Sequence, residues 1–147
     1  MPQSKNYFRR CEVCCYETNV SSGWCRHIKT PKHIERINNL QNKMWKQVCI
    51  YCICVGDDNY VGHSFNIKLR KDNHKSSCNH DNRLLYKNIR DYGGWDNVKF
   101  IELARYEECD LTKAIEMETK HFYEIKPNLN MCVPNGSLHI NPFIKSS

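Results

Sequence analysis

Four metal-ligating side chains near the N-terminus, Cys11-x2-Cys14-x12-His27-x5-His33, constrain this chain more than any other feature. Two thiolates separated by two residues reach one zinc ion from a tight turn. Two imidazoles at the later spacing, on or just after a helix, complete a tetrahedral Cys2His2 shell. Such a shell has no open position, which makes the site structural rather than catalytic. A segment of about 40 residues cannot fold on its own core, so the metal supplies folding energy. One structural Zn2+ is therefore expected.

The neighbouring residues suit this arrangement. Tyr7 or Phe8 precedes the Cys pair, Tyr16 follows it, and Trp24 lies three residues before His27, where an apolar side chain is needed beneath a helix. Pro31 falls inside the histidine gap and is expected to break the helix near Thr30. Cys15 and Cys25 are spare thiols that could substitute as ligands, although the Cys11/Cys14 spacing is better. Ile34, Ile37, Leu40 and Met44 predict a helical connector that ends near Lys46.

At 147 residues there is room for one modest core beside this stapled module. No run approaches 18 apolar residues and the first ten have no apolar stretch, so neither a membrane partner nor a secretory signal is expected. The chain has ten cysteines, which without a signal read as thiols of a reducing compartment: nucleus, cytoplasm or a site of viral replication. Residues 1–46 hold nine Lys/Arg against three acids and carry the whole net charge of +6, while residues 47–147 hold 13 of each. A basic module of this kind attracts polyanions whatever their sequence.

The N-terminal segment resembles Cys2His2 zinc fingers with a five-residue histidine gap, a type frequent in matrin-like proteins and large DNA viruses. Placed as in DNA-reading fingers, its base-facing positions are Val20, Gly23 and Arg26, of which only Arg26 offers a good donor set for guanine. The module therefore reads as an anchor on phosphates, through Arg26, Lys29 and Lys32, more than as a sequence reader. A finger that binds protein is the competing reading.

The rest of the chain predicts a small α+β domain. Residues 47–55 read as a strand, Gly56-Asp57-Asp58-Asn59 as a turn, and Tyr60-Val61-Gly62 as the start of a second strand, which makes a hairpin. Residues 65–74 read as a short helix with Arg70 and His74 one turn apart. Asn82 is a candidate cap for a helix to Tyr92 that stops at Gly93-Gly94; residues 98–104 read as a central strand. Asp110 is a candidate cap for a last helix through Lys126, closed by Pro127. Leu111, Ile115, Glu118, Phe122 and Ile125 share one face of it. A carboxylate on an apolar stripe is costly unless it is paired or holds a metal, so Glu118 is either a salt bridge to an arginine or a ligand. Tyr51 and Tyr60 are equally explicable as cross-strand packing partners, and His74 as a surface residue. Cys78-x-His80 hints faintly at a second metal site; a mobile loop is the simpler reading there.

Taken in order, Cys49-Ile50-Tyr51, Tyr60-Val61-Gly62, Arg70, His74, Glu118 and the closing Pro127 and Leu129-Asn130 resemble the GIY-YIG endonuclease superfamily over residues 48–131. Cys49 stands where that family has its first glycine, and His63-Ser64 follows the second motif where the family is variable. The resemblance implies a small α/β sandwich, a three-stranded antiparallel sheet flanked by helices, preceded by a ββα-like zinc finger. It also implies hydrolysis of DNA phosphodiesters, duplex or branched, at one divalent metal, Mg2+ or Mn2+. By the same carry-over Glu118 binds the metal, Arg70 grips the phosphate, and Tyr51 is general base for the attacking water. His74 relays the proton or bonds the phosphate, Tyr60 orients water or phosphate, and Asn130 orders the site. The domain limits that follow are 1–46 for the finger and connector, 47–131 for the nuclease domain, and 132–147 for an irregular tail that packs as a strap. The alternatives are a catalytically inactive DNA- or RNA-binding protein that keeps the nuclease fold for docking, and a finger-mediated protein adaptor.

Overall fold

The computed structural model describes residues 9–11, 16–18, 21–134 and 140–145. The chain divides into two compact units, Met1–Lys43 and Met44–Ser147, each treated by itself. The division falls three residues before the limit expected from the sequence.

In the first unit, β1 (Arg9–Cys11) pairs antiparallel with β2 (Tyr16–Thr18), with Cys11 opposite Tyr16. Two helices follow, α1 (Ser21–Ile28) and α2 (Pro31–Gln41). The break between them falls at Thr30-Pro31. Pro31 opens α2, where a missing N–H costs nothing, and the Thr30 side chain accepts a hydrogen bond from the His33 N–H. The connector stops at Gln41 rather than near Lys46, and the Asn42 N–H bonds back to the Asn38 and Leu40 carbonyls. Asn38, Asn39 and Asn42 are weak helix formers whose side chains compete for backbone groups, which shortens the helix.

The second unit is α+β. Its sheet holds β3 (Trp45–Val55), β4 (Asp58–Ser64) and β5 (Lys99–Cys109) in the order β4-β3-β5, antiparallel throughout. The other elements are α3 (Ile67–Ser77), α4 (Leu84–Asp91), a 3-10 turn at Trp95–Asn97 and α5 (Leu111–Ile125). Five α-helices and one three-stranded sheet are thus present among the described residues.

Val48 to Ile53 are all buried, because β3 is covered on both faces. On one face Tyr51, Ile53 and Val55 pack with Cys78, Leu85, Tyr86 and Ile89, from and beside α3 and α4. On the other, Ile50, Cys52 and Val61 pack with Met117 and Ile125 of α5. The segment 98–104, expected as the central strand, falls instead on an edge strand that starts at Lys99 and runs five residues further, to Cys109. Exposed Glu102, Arg105, Glu107 and Glu108 interrupt its hydrophobic signal, while ladder pairing from Lys99 to Cys109 continues against β3.

Helix ends follow local chemistry. Asn66 caps α3 by accepting from the Leu69 N–H, and Asp110 caps α5 by accepting from the Lys113 N–H. The expected Asn82 cap of α4 is not formed. The N-cap position is Arg83, without a side-chain cap; Asp81 instead holds that residue from outside the helix, accepting from the Arg83 N–H at 2.8 Å and from its guanidinium. Beyond α5, described residues 140–145 of the tail pack back against the domain, as expected of a strap. Asn141 is buried and donates to the Pro127 and Asn130 carbonyls, and Phe143 rests against Phe122.

Candidate functional site

Tyr51 faces the α3 side of the sheet opposite Gly62 of β4. The absence of a side chain at Gly62 makes room for it: a Cβ there would meet the Tyr51 hydroxyl oxygen at 2.6 Å. The phenol therefore lies across the edge strand, with Phe100 stacked on its ring at 4.8 Å.

Two residues of α3, four apart, converge on that hydroxyl. Arg70 Nε donates to Tyr51 Oη at 2.9 Å, and His74 Nε2 lies 2.7 Å from the same oxygen. The other imidazole nitrogen, Nδ1, is 2.9 Å from the Tyr86 hydroxyl on α4. His74 is thus a buried relay between two phenols, not a surface residue. One assignment satisfies all four groups: Tyr51 donates to Nε2, and Nδ1–H donates to Tyr86. Burial pushes the Tyr86 phenol above its ordinary pKa, which keeps it a neutral partner. Tyr60 stands beside the group, its ring 5.8 Å from His74 and 6.4 Å from Tyr51. Tyr51 itself has no exposed surface, whereas Arg70 and Tyr60 are half-buried.

Glu118 is placed differently. It sits on α5, on the other side of the sheet from Tyr51, and its Oε2 is hydrogen-bonded to His63 Nδ1. No arginine pairs with it in that contact. The buried stripe of α5 runs through Ala114 and Phe122, with Met117 and Ile125 beside it, and leaves the Glu118 side chain 12% exposed. His63 is the residue after Gly62. Two consecutive residues of edge strand β4 therefore carry the two halves of the site, the Tyr51 hydroxyl over one and the Glu118 carboxylate against the other. A partly exposed carboxylate can serve a divalent ion of the Mg2+ or Mn2+ kind, which keeps most of its waters and needs one or two protein ligands.

Asn130 is a clamp. Its Oδ1 accepts from the Val61 N–H at 2.9 Å and its Nδ2 donates to the Val61 carbonyl at 2.8 Å, fixing the strand at the position before Gly62. Cys78 lies in the core with its thiol directed at the His74 carbonyl, and burial raises its pKa; His80 is exposed. One side chain is thus in the core and the other at the surface. Among the described residues, no three His, Cys, Asp or Glu side chains converge on one point.

In the first unit, Thr30 draws the two candidate histidines together. Its hydroxyl donates to the His27 carbonyl at 2.8 Å and accepts from the His33 N–H, and the two rings meet edge to face at 4.6 Å. Cys14, Cys15 and Val20 lie outside the described residues, as do Tyr7 and Phe8; for Cys11 only the backbone is described. Arg26, Lys29 and Lys32 are exposed.

Sequence reasoning missed Tyr86 and the role of His63. Tyr86 reads as an ordinary apolar position of a short helix, and His63 meets Glu118 across 55 residues, beyond the reach of any local pattern. No family model matches the chain, and neither a curated protein nor a solved structure matches it.

Proposed function

We propose that the chain is a metal-dependent endonuclease of the GIY-YIG type that hydrolyses DNA phosphodiesters, held on its substrate by an N-terminal zinc finger. The observation that carries this reading is the convergence of Arg70 Nε and His74 Nε2 on one oxygen, Tyr51 Oη.

A phenol is a poor base near neutrality because its ordinary pKa is about 10. Here the proton of Tyr51 has a receiver in His74 Nε2, and the phenolate that remains is stabilised by the Arg70 guanidinium. A phosphate that engages Arg70 draws this side chain toward itself and opens the hydroxyl to the attacking water. The same cation then grips the phosphate and lowers the cost of the phenolate. Tyr60, beside both rings, orients the water or the phosphate. Glu118 supplies the anionic ligand for a divalent ion, which neutralises charge developing on the phosphate when bound. Asn130 holds Val61, and with it Gly62, so that the Tyr51 hydroxyl keeps its place.

In the first unit, the pairing of His27 with His33 supports a Cys2His2 site completed by Cys11 and Cys14. Exposed Arg26, Lys29 and Lys32 on that module suit contact with phosphates.

Complete burial of Tyr51 and the capture of Glu118 by His63 favour a second reading, a catalytically silent docking domain for DNA or RNA. Incubation with a panel of duplex, nicked and branched DNAs, with Mg2+ or Mn2+, separates the two. The nuclease reading expects metal-dependent strand cleavage of at least one structure; binding without cleavage across the panel establishes the silent one.

A further inference from the structure

We propose that His63 is a second protein ligand of the catalytic metal, and that the Glu118–His63 pair favours a first-row ion such as Mn2+ over Mg2+. This rests on the metal-dependent reading above.

Three observations carry it. First, the two donor atoms already face one another: His63 Nδ1 and Glu118 Oε2 share a hydrogen bond between elements 55 residues apart. An ion bound there displaces the shared proton, and the two side chains move apart slightly to admit it. Second, both side chains keep a solvent-facing part, 21% for His63 and 12% for Glu118, so further positions are open to water and to a phosphate oxygen. Third, the imidazole is held by packing. Phe65 meets its ring edge-on at 5.6 Å, and Trp45 stacks on Phe65 at 3.8 Å. A ligand whose ring is fixed before the ion arrives loses little freedom on binding.

The chemistry of the donors sets the preference. An all-oxygen site suits both Mg2+ and Mn2+, but affinity for a nitrogen donor rises along the first-row ions, and Mn2+ accepts one imidazole among oxygen ligands more readily than Mg2+ does. The position of the pair also matters. His63 follows Gly62 directly, and the Tyr51 hydroxyl lies over Gly62. A metal on His63 and a base on Tyr51 are thereby brought to the same edge of the sheet.

The test uses the full chain, loaded with zinc and titrated with Mn2+ or Mg2+ in the absence of DNA. Electron paramagnetic resonance counts bound Mn2+, and pulsed measurements detect nitrogen bonded to it. The expected result is one Mn2+ per chain with a nitrogen coupling that disappears in His63→Gln. Mn2+ affinity should fall at least tenfold in that variant, while Mg2+ affinity changes less than threefold. Mn2+ bound without nitrogen coupling, at equal affinity in His63→Gln but lost in Glu118→Gln, overturns this proposal and leaves Glu118 as sole ligand. Mn2+ retained in Glu118→Gln, or never bound by the unaltered chain, overturns the metal-dependent reading as well. Because the coupling is read on the unaltered protein, a folding defect in either variant does not remove the test.

Discussion

At Gly62 the β4 backbone runs directly beneath the Tyr51 hydroxyl, with 2.6 Å between that oxygen and a Cβ added there. Gly62→Ala must therefore push the Tyr51 ring away from Arg70 and His74. Overpacking of this kind costs about 1–3 kcal/mol, which urea denaturation will measure. We also predict at least a tenfold loss of cleavage with DNA binding retained, because the damage is confined to the aim of one hydroxyl. An alanine variant that keeps both stability and rate would show that this close approach is unimportant. Tyr51, Tyr60, Arg70 and His74 could be picked out from the sequence because their order and spacing resemble the GIY-YIG pattern; taken singly, they passed as packing or surface residues. Tyr86 and His63 could not. Each is defined only by what the folded chain brings against it, and neither residue type is unusual in its own element.

Elements show the same division. The β3–β4 hairpin, α3, and the Asp110 cap of α5 were legible because turn residues, hydrophobic runs and caps are local signals. The length of β5 was not, since half of its residues are exposed and its ladder is set by the partner strand. The strap is a further case. It is tied to the start of β4 by Asp58, which accepts from Asn128 Nδ2 at 2.7 Å and from Lys145. The hydrogen bonds from Lys145 and Asn128 hold the Asp58 carboxyl below the ordinary carboxylate range. A depressed folded-state pKa means that this stabilisation is present above the unfolded value, about 3.9, and is lost as pH falls through the folded one. Urea midpoints followed downward from pH 5 should fall more steeply in the unaltered chain than in Asp58→Asn. Parallel curves would exclude this contribution.

Across the molecule, charge is unevenly placed along the chain. The whole net positive charge lies in residues 1–46, while exposed Lys68, Lys71 and Lys75 line α3 beside Arg70 and exposed Glu102, Glu107 and Glu108 lie on β5. We predict that Cys11→Ser loses the zinc and weakens DNA binding, with a shallower dependence on salt, while the cleavage rate of bound substrate changes much less. Zinc analysis together with binding isotherms at two salt concentrations checks this, and unchanged zinc would move the site to Cys15 or Cys25. We propose that the Tyr51 hydroxyl, set between Arg70 and His74, is the base that activates water for attack on the DNA phosphodiester. Tyr51→Phe keeps the buried ring and removes only the oxygen. Single-turnover cleavage of one DNA substrate by the two proteins, at saturating enzyme and metal, is the most direct measurement. We predict a rate lower by about 10²–10⁴ in Tyr51→Phe with substrate affinity within a few-fold; equal rates in the two proteins would contradict a catalytic role for this hydroxyl.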